Sequence, residues 1–272
     1  MTLIVSYCDH NCIIQASDRR LTAADGSIVV DHQNKAVLVC NRATIALTGL
    51  AQLGVDRTSP LLENWIVTAL TKHGVTTISG ACKALKAEAV QAFNLLSVPR
   101  EQRGVAFAVA GWSILEPGSE ARATIACVSN AFHWGENRWD ALASDQFRWE
   151  YLHLSFQQKF ILTSFGQPFP REPAVWLNRI LRATHGRVSY TMVMNFIAQA
   201  MLRSASSNPT IGCELNVVSL PRPADSNLML ALNGPPDLRG VRWCSWPATS
   251  PQYGPNFVCG GKGASQVQAG YF

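Results

Sequence analysis

The stretch TLIVSYCDHNCIIQASD, residues 2–18, decides how the rest of the chain is read. Two β-branched, apolar runs, residues 3–8 and 12–17, flank Asp9-His10-Asn11, a turn former, so the segment reads as a β-hairpin. Most domains fray at their first residues. Here strand-forming residues begin directly after Met1 and Thr2, which predicts a terminus pinned inside a sheet. With Met1 removed, that pinned terminus is the α-amine of Thr2. A threonine hydroxyl beside its own amine is a nucleophile with a built-in base.

The β character continues outward. Short strands are expected near residues 28–31, 35–40 and 43–48, with turns at Ala24-Asp25-Gly26 and Asn41-Arg42. Then the period changes. Ser59-Pro60 supplies an N-cap and a first-turn proline, followed by Leu62, Trp65, Ile66, Ala69 and Leu70 on one helical stripe. A second helix from about Thr77 turns Ile78, Cys82, Leu85, Ala89 and Phe93 inward, and Lys83 and Lys86 outward. Strands return at 104–112, 121–129 and 157–163. Between the last two lies a Trp-rich, charged insert, residues 132–151, that carries no clear period. Helices are expected at 172–183, with Trp176, Leu177, Ile180 and Leu181 inward, and at 189–204. Strands at 213–219 and 227–233 follow. Residues 1–234 thus read as one domain. Residues 235–272, with their GPP, WPATSP and CGGKG segments, read as an irregular extension.

Strands, two helices, strands, two helices, strands is an α+β order. It predicts a four-layer αββα sandwich of two antiparallel sheets, each helix offering one apolar stripe to a sheet.

Composition narrows the class. Of 272 residues, 47% are hydrophobic and only 15% charged, against about 25% charged in an ordinary soluble protein. A surface so short of charge points to homo-oligomerisation. The net charge is +5, but the basic residues are scattered. No basic stripe with interleaved aromatics is present, so no nucleic-acid partner is expected. No apolar run reaches membrane-spanning length, and the first residues lack the basic and cleavage regions of a signal peptide. Eight well-separated cysteines are the usage of a reduced, cytoplasmic protein. The pair Cys8 and Cys12 has no second ligand pair, so neither metal nor cofactor is expected. GWSIL lacks the second glycine of a nucleophile elbow, and CGGKGAS lacks the Ser or Thr that follows Gly-Lys in a phosphate loop.

Four features recur in a fixed order: Thr2, SDRRLT at 17–22, Lys35 before AVLV, and TIALTGLAQLG at 44–54. In these the chain resembles N-terminal nucleophile hydrolases, specifically proteasome β-type subunits and their simpler bacterial relatives, over residues 2–220. The resemblance implies the Ntn-hydrolase sandwich and an N-terminal threonine peptidase without cofactor or metal. It implies a peptide or protein substrate and a self-assembled homo-oligomeric ring, and leaves a regulatory ATPase partner unspecified. By the same resemblance Thr2, Asp18 and Lys35 are catalytic, Gly49 offers the oxyanion its backbone N–H, and Arg20 supports Asp18. Leu21 and Leu47 line the substrate pocket. Two supporting motifs depart from the family pattern. TSFGQP at 163–168 has Phe165 where a serine is usual, with Ser164 one residue early. NPTIGC at 208–213 offers Asn208 in place of an acid, with Thr210 as the nearest hydroxyl.

The chemistry of these residue types is consistent with that role. An α-amine titrates near 7.7–8.0 and is a competent base at neutral pH. A lysine ammonium beside it lowers that value further, and a carboxylate at Asp18 holds the ammonium in place. Two other readings use the same residues: a catalytically inactive scaffold or binding subunit, favoured by Asn208 and Phe165, and a small-molecule amidase with the Trp-rich insert over its site.

Overall fold

A computed structural model describes residues 2–22, 27–30, 33, 35–39, 43–53, 61–75, 77–114, 119–184, 188–222, 242–246, 256–257 and 265–267. The expected turns at 24–26 and 41–42, the cap Ser59-Pro60 and the strand at 227–233 lie outside these residues, as do the GPP and CGGKG segments and WPATSP beyond Trp246.

The opening hairpin forms as β1 (Leu3–Asp9) and β2 (Cys12–Asp18). The Asp9 carboxylate accepts the backbone N–H groups of Asn11 and Cys12 at 2.8 and 2.7 Å, closing the turn. Every residue of both strands is buried, because their two faces pack into different apolar clusters. At the edges β1 pairs with β2 and β12 (Phe160–Gly166), and β2 also pairs with β13 (Leu215–Pro221). Two strands from the Pro-rich end, β14 (Arg242–Trp246) and β15 (Asn256–Phe257), complete a six-stranded sheet in the order β12-β1-β2-β13-β14-β15.

The second large sheet is built from β5 (Ala36–Val39), β6 (Ala43–Gly49), β7 (Val105–Ser113), β8 (Arg122–Ser129), β11 (Arg148–His153) and β16 (Ser265–Val267), in the order β11-β8-β7-β6-β5-β16. Its last pairing, β16 on β5, is parallel. Two small hairpin sheets stand apart: β3 (Leu21–Thr22) with β4 (Ile28–Val30), and β9 (Phe132–His133) with β10 (Arg138–Trp139).

The helices are α1 (Leu62–Lys72), α2 (Ile78–Asn94), α3 (Arg171–Ala183) and α4 (Tyr190–Ser207). Thr77 and Ser189 cap α2 and α4 by accepting the N–H groups of Gly80 and Met192. One apolar cluster joins β5–β8 to α1 and α2, through residues such as Ile45, Phe107, Ile66 and Leu85. Another joins β1, β2 and β13 to α3 and α4, through Val5, Ile14, Leu177 and Ile197. A third draws side chains from both large sheets, Ile4 and Ile13 with Ala108 and Ile125 among them.

The architecture is α+β, but the expected four-layer αββα sandwich of two antiparallel sheets does not hold. Among the described residues there are four sheets, one of the large ones mixed. The reason is physical. Strands of two or three residues, as in β3, β4, β9 and β10, are too short to show an alternation. The strands from the Pro-rich end are likewise too short and too far along the chain for pattern alone to assign them partners. The insert 132–151, without a readable period, supplies β9, β10 and most of β11. In α3 the buried stripe is Leu177 and Leu181. Trp176, expected inward, is 50% exposed and stacks on Phe196 of α4 with ring centroids 4.7 Å apart.

Among the described residues no helix is long and apolar enough to cross a membrane. Cys8 and Cys12 pack into different apolar clusters, so their thiols do not converge.

Candidate active site

Thr2, Asp18 and Lys35 are far apart in sequence, and the two large sheets bring them together. Thr2 leads into β1, and Asp18 ends the antiparallel neighbour β2, so the hairpin sets them side by side. The Leu3 N–H donates to Asp18 Oδ2 at 2.8 Å. Lys35 leads into β5 of the other sheet, where its carbonyl accepts the Leu47 N–H at 3.2 Å. Its side chain crosses to the first sheet. Lys35 Nζ donates to Thr2 Oγ1 at 2.5 Å, to Asp18 Oδ1 at 3.2 Å and to the Arg20 carbonyl.

All three groups are nearly sealed from solvent: Thr2 is 4% exposed, Lys35 1% and Asp18 0%. A buried ammonium is costly unless it is paired and hydrogen-bonded. Burial lowers the Lys35 pKa from the usual lysine value, and the Asp18 charge works against that shift. Asp18 has a further duty. Its Oδ1 also accepts the N–H groups of Arg20 at 3.0 Å and Gly212 at 3.3 Å. The carboxylate therefore ties β1, the end of β2 and the 208–213 turn to the lysine.

Thr48, next to the glycine singled out from sequence, is the residue that reasoning missed. Its Oγ1 accepts the Thr2 N–H at 3.2 Å and donates to the Thr2 carbonyl at 3.1 Å. Its full burial near the end of β6 distinguishes it in the structure, whereas a threonine within a strand carries no signal in the sequence. Gly49 follows in the left-handed region, at φ +94°. A Cβ there would lie 2.1 Å from the Gly104 carbonyl oxygen, so only glycine fits. The Leu50 N–H donates to that carbonyl. Successive N–H groups leave opposite edges of a strand. The Leu47 N–H points to Lys35, so the Gly49 N–H, two residues on at the end of β6, leaves on that same edge.

A second tight glycine, Gly166 at the end of β12, lies opposite Leu3. Its φ is +79°, and a Cβ would fall 2.1 Å from the Thr2 carbonyl oxygen and 2.6 Å from Thr48 Oγ1. The next N–H, of Gln167, donates to the Thr2 carbonyl at 3.2 Å.

The other sequence candidates lie as follows. Arg20 donates from Nη1 to the Pro209 carbonyl at 2.7 Å, bracing the 208–213 turn. Asn208 Oδ1 accepts the Thr210 N–H and hydroxyl at 3.0 and 2.8 Å, so these two residues bond to each other. Ser164 Oγ accepts the Phe169 N–H at 3.2 Å. Phe165 is buried and stacks on Trp134 with centroids 5.2 Å apart. Leu21 sits in β3, and Leu47 is packed in the cluster against α1 and α2.

One acid near the site carries a pH signature. Glu63, in the first turn of α1, is 6% exposed and accepts a hydrogen bond from Gln33 Nε2. Burial pushes its pKa up from 4.5 to about 7, against the pull of Gln33, Lys35 and Arg19. The native state thus holds a proton between pH 4.5 and about 7 that the unfolded chain has lost. Stability should fall as pH rises through that window and level off above it. The span is about 2 kcal/mol after allowing for solvent screening. Denaturant titrations across that range should show the slope in the native chain and its loss in Glu63→Gln.

No family model matches this chain, and no curated protein matches it. Among solved structures it is similar to Anbu (ancestral beta-subunit) from Yersinia bercovieri, at 14% identity and a TM-score of 0.49 over 84% of this chain and 91% of that one. It is also similar to a Gly-1 mutant of Anbu from Hyphomicrobium sp. strain MC1, at 14% identity and a TM-score of 0.48, covering 85% and 94%. These findings correct the resemblance to bacterial proteasome β-type subunits read from the motifs. With no family match and similarity this low, the chain is not assigned to that family, and the chemistry of its site rests on the site's own geometry.

Proposed function

We propose that this chain is an amide hydrolase whose nucleophile is the Thr2 hydroxyl, acting once Met1 has been removed. The observation that carries the reading is the contact of Lys35 Nζ with Thr2 Oγ1 at 2.5 Å, inside a pocket where Asp18 holds the lysine. A buried lysine aimed at a buried threonine hydroxyl has no structural need to be there. An apolar residue would fill the space with no desolvation cost.

The freed α-amine takes the proton of Oγ1 as the hydroxyl attacks the scissile carbonyl. The Lys35 ammonium stabilises the alkoxide as it forms, and the Gly49 N–H serves the carbonyl oxygen that becomes negative. The C–N bond breaks, the leaving amine takes the proton from the α-ammonium, and an ester on Thr2 remains. Water then hydrolyses that ester by the same groups. Thr48 Oγ1, within 3.2 Å of the Thr2 nitrogen, orients the base. A peptide substrate and a homo-oligomeric state go with this reading. The low charge of the chain supports self-association, as do the exposed apolar side chains Val175, Trp176 and Met192 on α3 and α4.

Intact and native mass spectrometry of the natively expressed protein, followed by an amide-substrate assay, tests this. A chain beginning at Thr2, assembled beyond a monomer, should hydrolyse the substrate, and Thr2→Ala should lose the activity. Met1 retained on every chain contradicts the mechanism and favours the scaffold reading.

A further inference from the structure

The Trp-rich insert takes no part in the chemistry above, yet it reaches the site. Its hairpin is well fixed. Trp139 pairs with Phe132 across β9 and β10, the turn passes through Asn137 at φ +47°, and the Asp140 N–H donates to the Ala131 carbonyl at 2.9 Å. Asp140 also accepts hydrogen bonds from His133 Nε2 and Arg138 Nη1 at 2.8 and 2.7 Å. The Phe132 and Trp139 rings lie 5.1 Å apart.

So held, the Trp139 indole meets both Gly166, beside Thr2 and Thr48, and Gly104, which faces Gly49. Its Nε1–H donates to the Gly166 carbonyl at 3.3 Å. Its six-membered ring covers Gly104, where a Cβ would lie 3.5 and 3.6 Å from Cζ3 and Cε3. Gly166 is the residue pressed against the Thr2 carbonyl and Thr48 Oγ1. Gly104 is the residue whose carbonyl takes the Leu50 N–H and closes against Gly49. One side chain thus spans the segment that seats the nucleophile and the segment that faces the proposed oxyanion donor.

We infer that Trp139 is a positioning residue that clamps Gly166 to the Gly104–Gly49 contact between the ends of β6 and β7 and so fixes Thr2 Oγ1 relative to the Gly49 N–H. The inference rests on the reading of Thr2 as nucleophile. The two contacts make separable demands. The N–H bond to Gly166 needs an indole, whereas the cover over Gly104 needs only an aromatic ring. Trp139→Phe therefore loses one contact and Trp139→Ala loses both.

The test has two parts on the mature full-length protein. In the first, a β-lactone that acylates hydroxyl nucleophiles is used to measure the limiting rate of Thr2 acylation and the concentration giving half of it. Displacing a reacting group slightly costs rate rather than binding. Trp139→Phe should slow the limiting rate about tenfold and Trp139→Ala by about a hundredfold, both with little change in the half-saturating concentration. In the second, hydrogen exchange reads the clamp directly. The Gln167 N–H, which donates to the Thr2 carbonyl, should exchange faster in Trp139→Phe. The Leu50 N–H should be unchanged there and faster only in Trp139→Ala, while amides of α2 stay as in the native chain. A native chain that the lactone never labels at Thr2 sinks the hydrolase reading but leaves the exchange result to decide the clamp. Unchanged Gln167 exchange in Trp139→Phe, or a change in half-saturation alone, overturns the inference.

Discussion

Asp18→Ala should destabilise the protein by about 3–5 kcal/mol, the range for removing one partner of a buried ion pair. The carboxylate is fully buried and accepts four hydrogen bonds, from Leu3, Arg20, Gly212 and Lys35. Alanine leaves three backbone N–H groups and an ammonium without that acceptor in a space closed to water. For a chain of this size the melting temperature should drop by roughly 10 °C. Activity should vanish with it, because Lys35 loses the group that holds it on Thr2 Oγ1. The paired change Asp18→Leu with Lys35→Met separates charge from packing. Removing both charges leaves no unpaired ion, so the part of the loss due to the stranded ammonium should return, while the part due to the three N–H groups of Leu3, Arg20 and Gly212, and the loss of activity, should remain. Thermal unfolding of the two variants against the native chain measures this. A single Asp18→Ala within about 1 kcal/mol of native would mean that the pair is not buried as described.

Gly166→Ala should do comparable damage by a different route. The backbone there sits at φ +79°, which costs an L-residue about 1–2 kcal/mol before any contact is counted. The added methyl would then overlap the Thr2 carbonyl oxygen at 2.1 Å and Thr48 Oγ1 at 2.6 Å. Thr48 can turn aside. The Thr2 carbonyl is main chain, so β1 and β12 must part or Thr2 must move. Either way the hydroxyl leaves Lys35. The expected result is a loss of about 2–4 kcal/mol in stability together with loss of Thr2 reactivity, read by denaturant unfolding and lactone labelling. Gly74 is the internal control. It also has a positive φ, +54°, but a Cβ there meets nothing within 4 Å, so Gly74→Ala should show the backbone cost alone and keep full reactivity.

Thr2, Asp18 and Lys35 were singled out by the motif resemblance and not by pattern, although each stands at a strand end beside a strongly patterned run. Thr2 precedes LIVSYC, Asp18 closes CIIQAS and Lys35 precedes AVLV. Antiparallel pairing of the first two strands brings Thr2 to Asp18 with no further information. That Lys35 crosses from the other large sheet is a tertiary fact that no local pattern encodes. Thr48 was hidden because a threonine in a strand is ordinary, and only burial at the end of β6 distinguishes it. Gly166 was obscured by its neighbour. Phe165 stood out as a departure from an expected motif, whereas its own role is to pack on Trp134. Asn208 and Thr210 looked like substitutes for a missing acid, and in the structure they bond to each other.

The fold was legible in its elements and not in their assembly. The 3.6-residue stripes placed four helices, and the β-branched, apolar runs placed the long strands. Sheet membership depends on partners distant in sequence, and the two-residue strands of the 132–151 hairpin leave almost no pattern. That hairpin nonetheless delivers Trp139 to the site, which is why the insert could be seen from sequence and its use could not.

The most direct test of the central claim is to treat the natively expressed protein with the β-lactone, digest it and map the adduct by mass spectrometry. A single acyl group on an N-terminal Thr2, absent after Lys35→Ala, is the expected result. No adduct on a chain that begins at Thr2, or an adduct carried instead by another residue such as the free, partly exposed Cys213, would contradict the assignment of Thr2 as nucleophile.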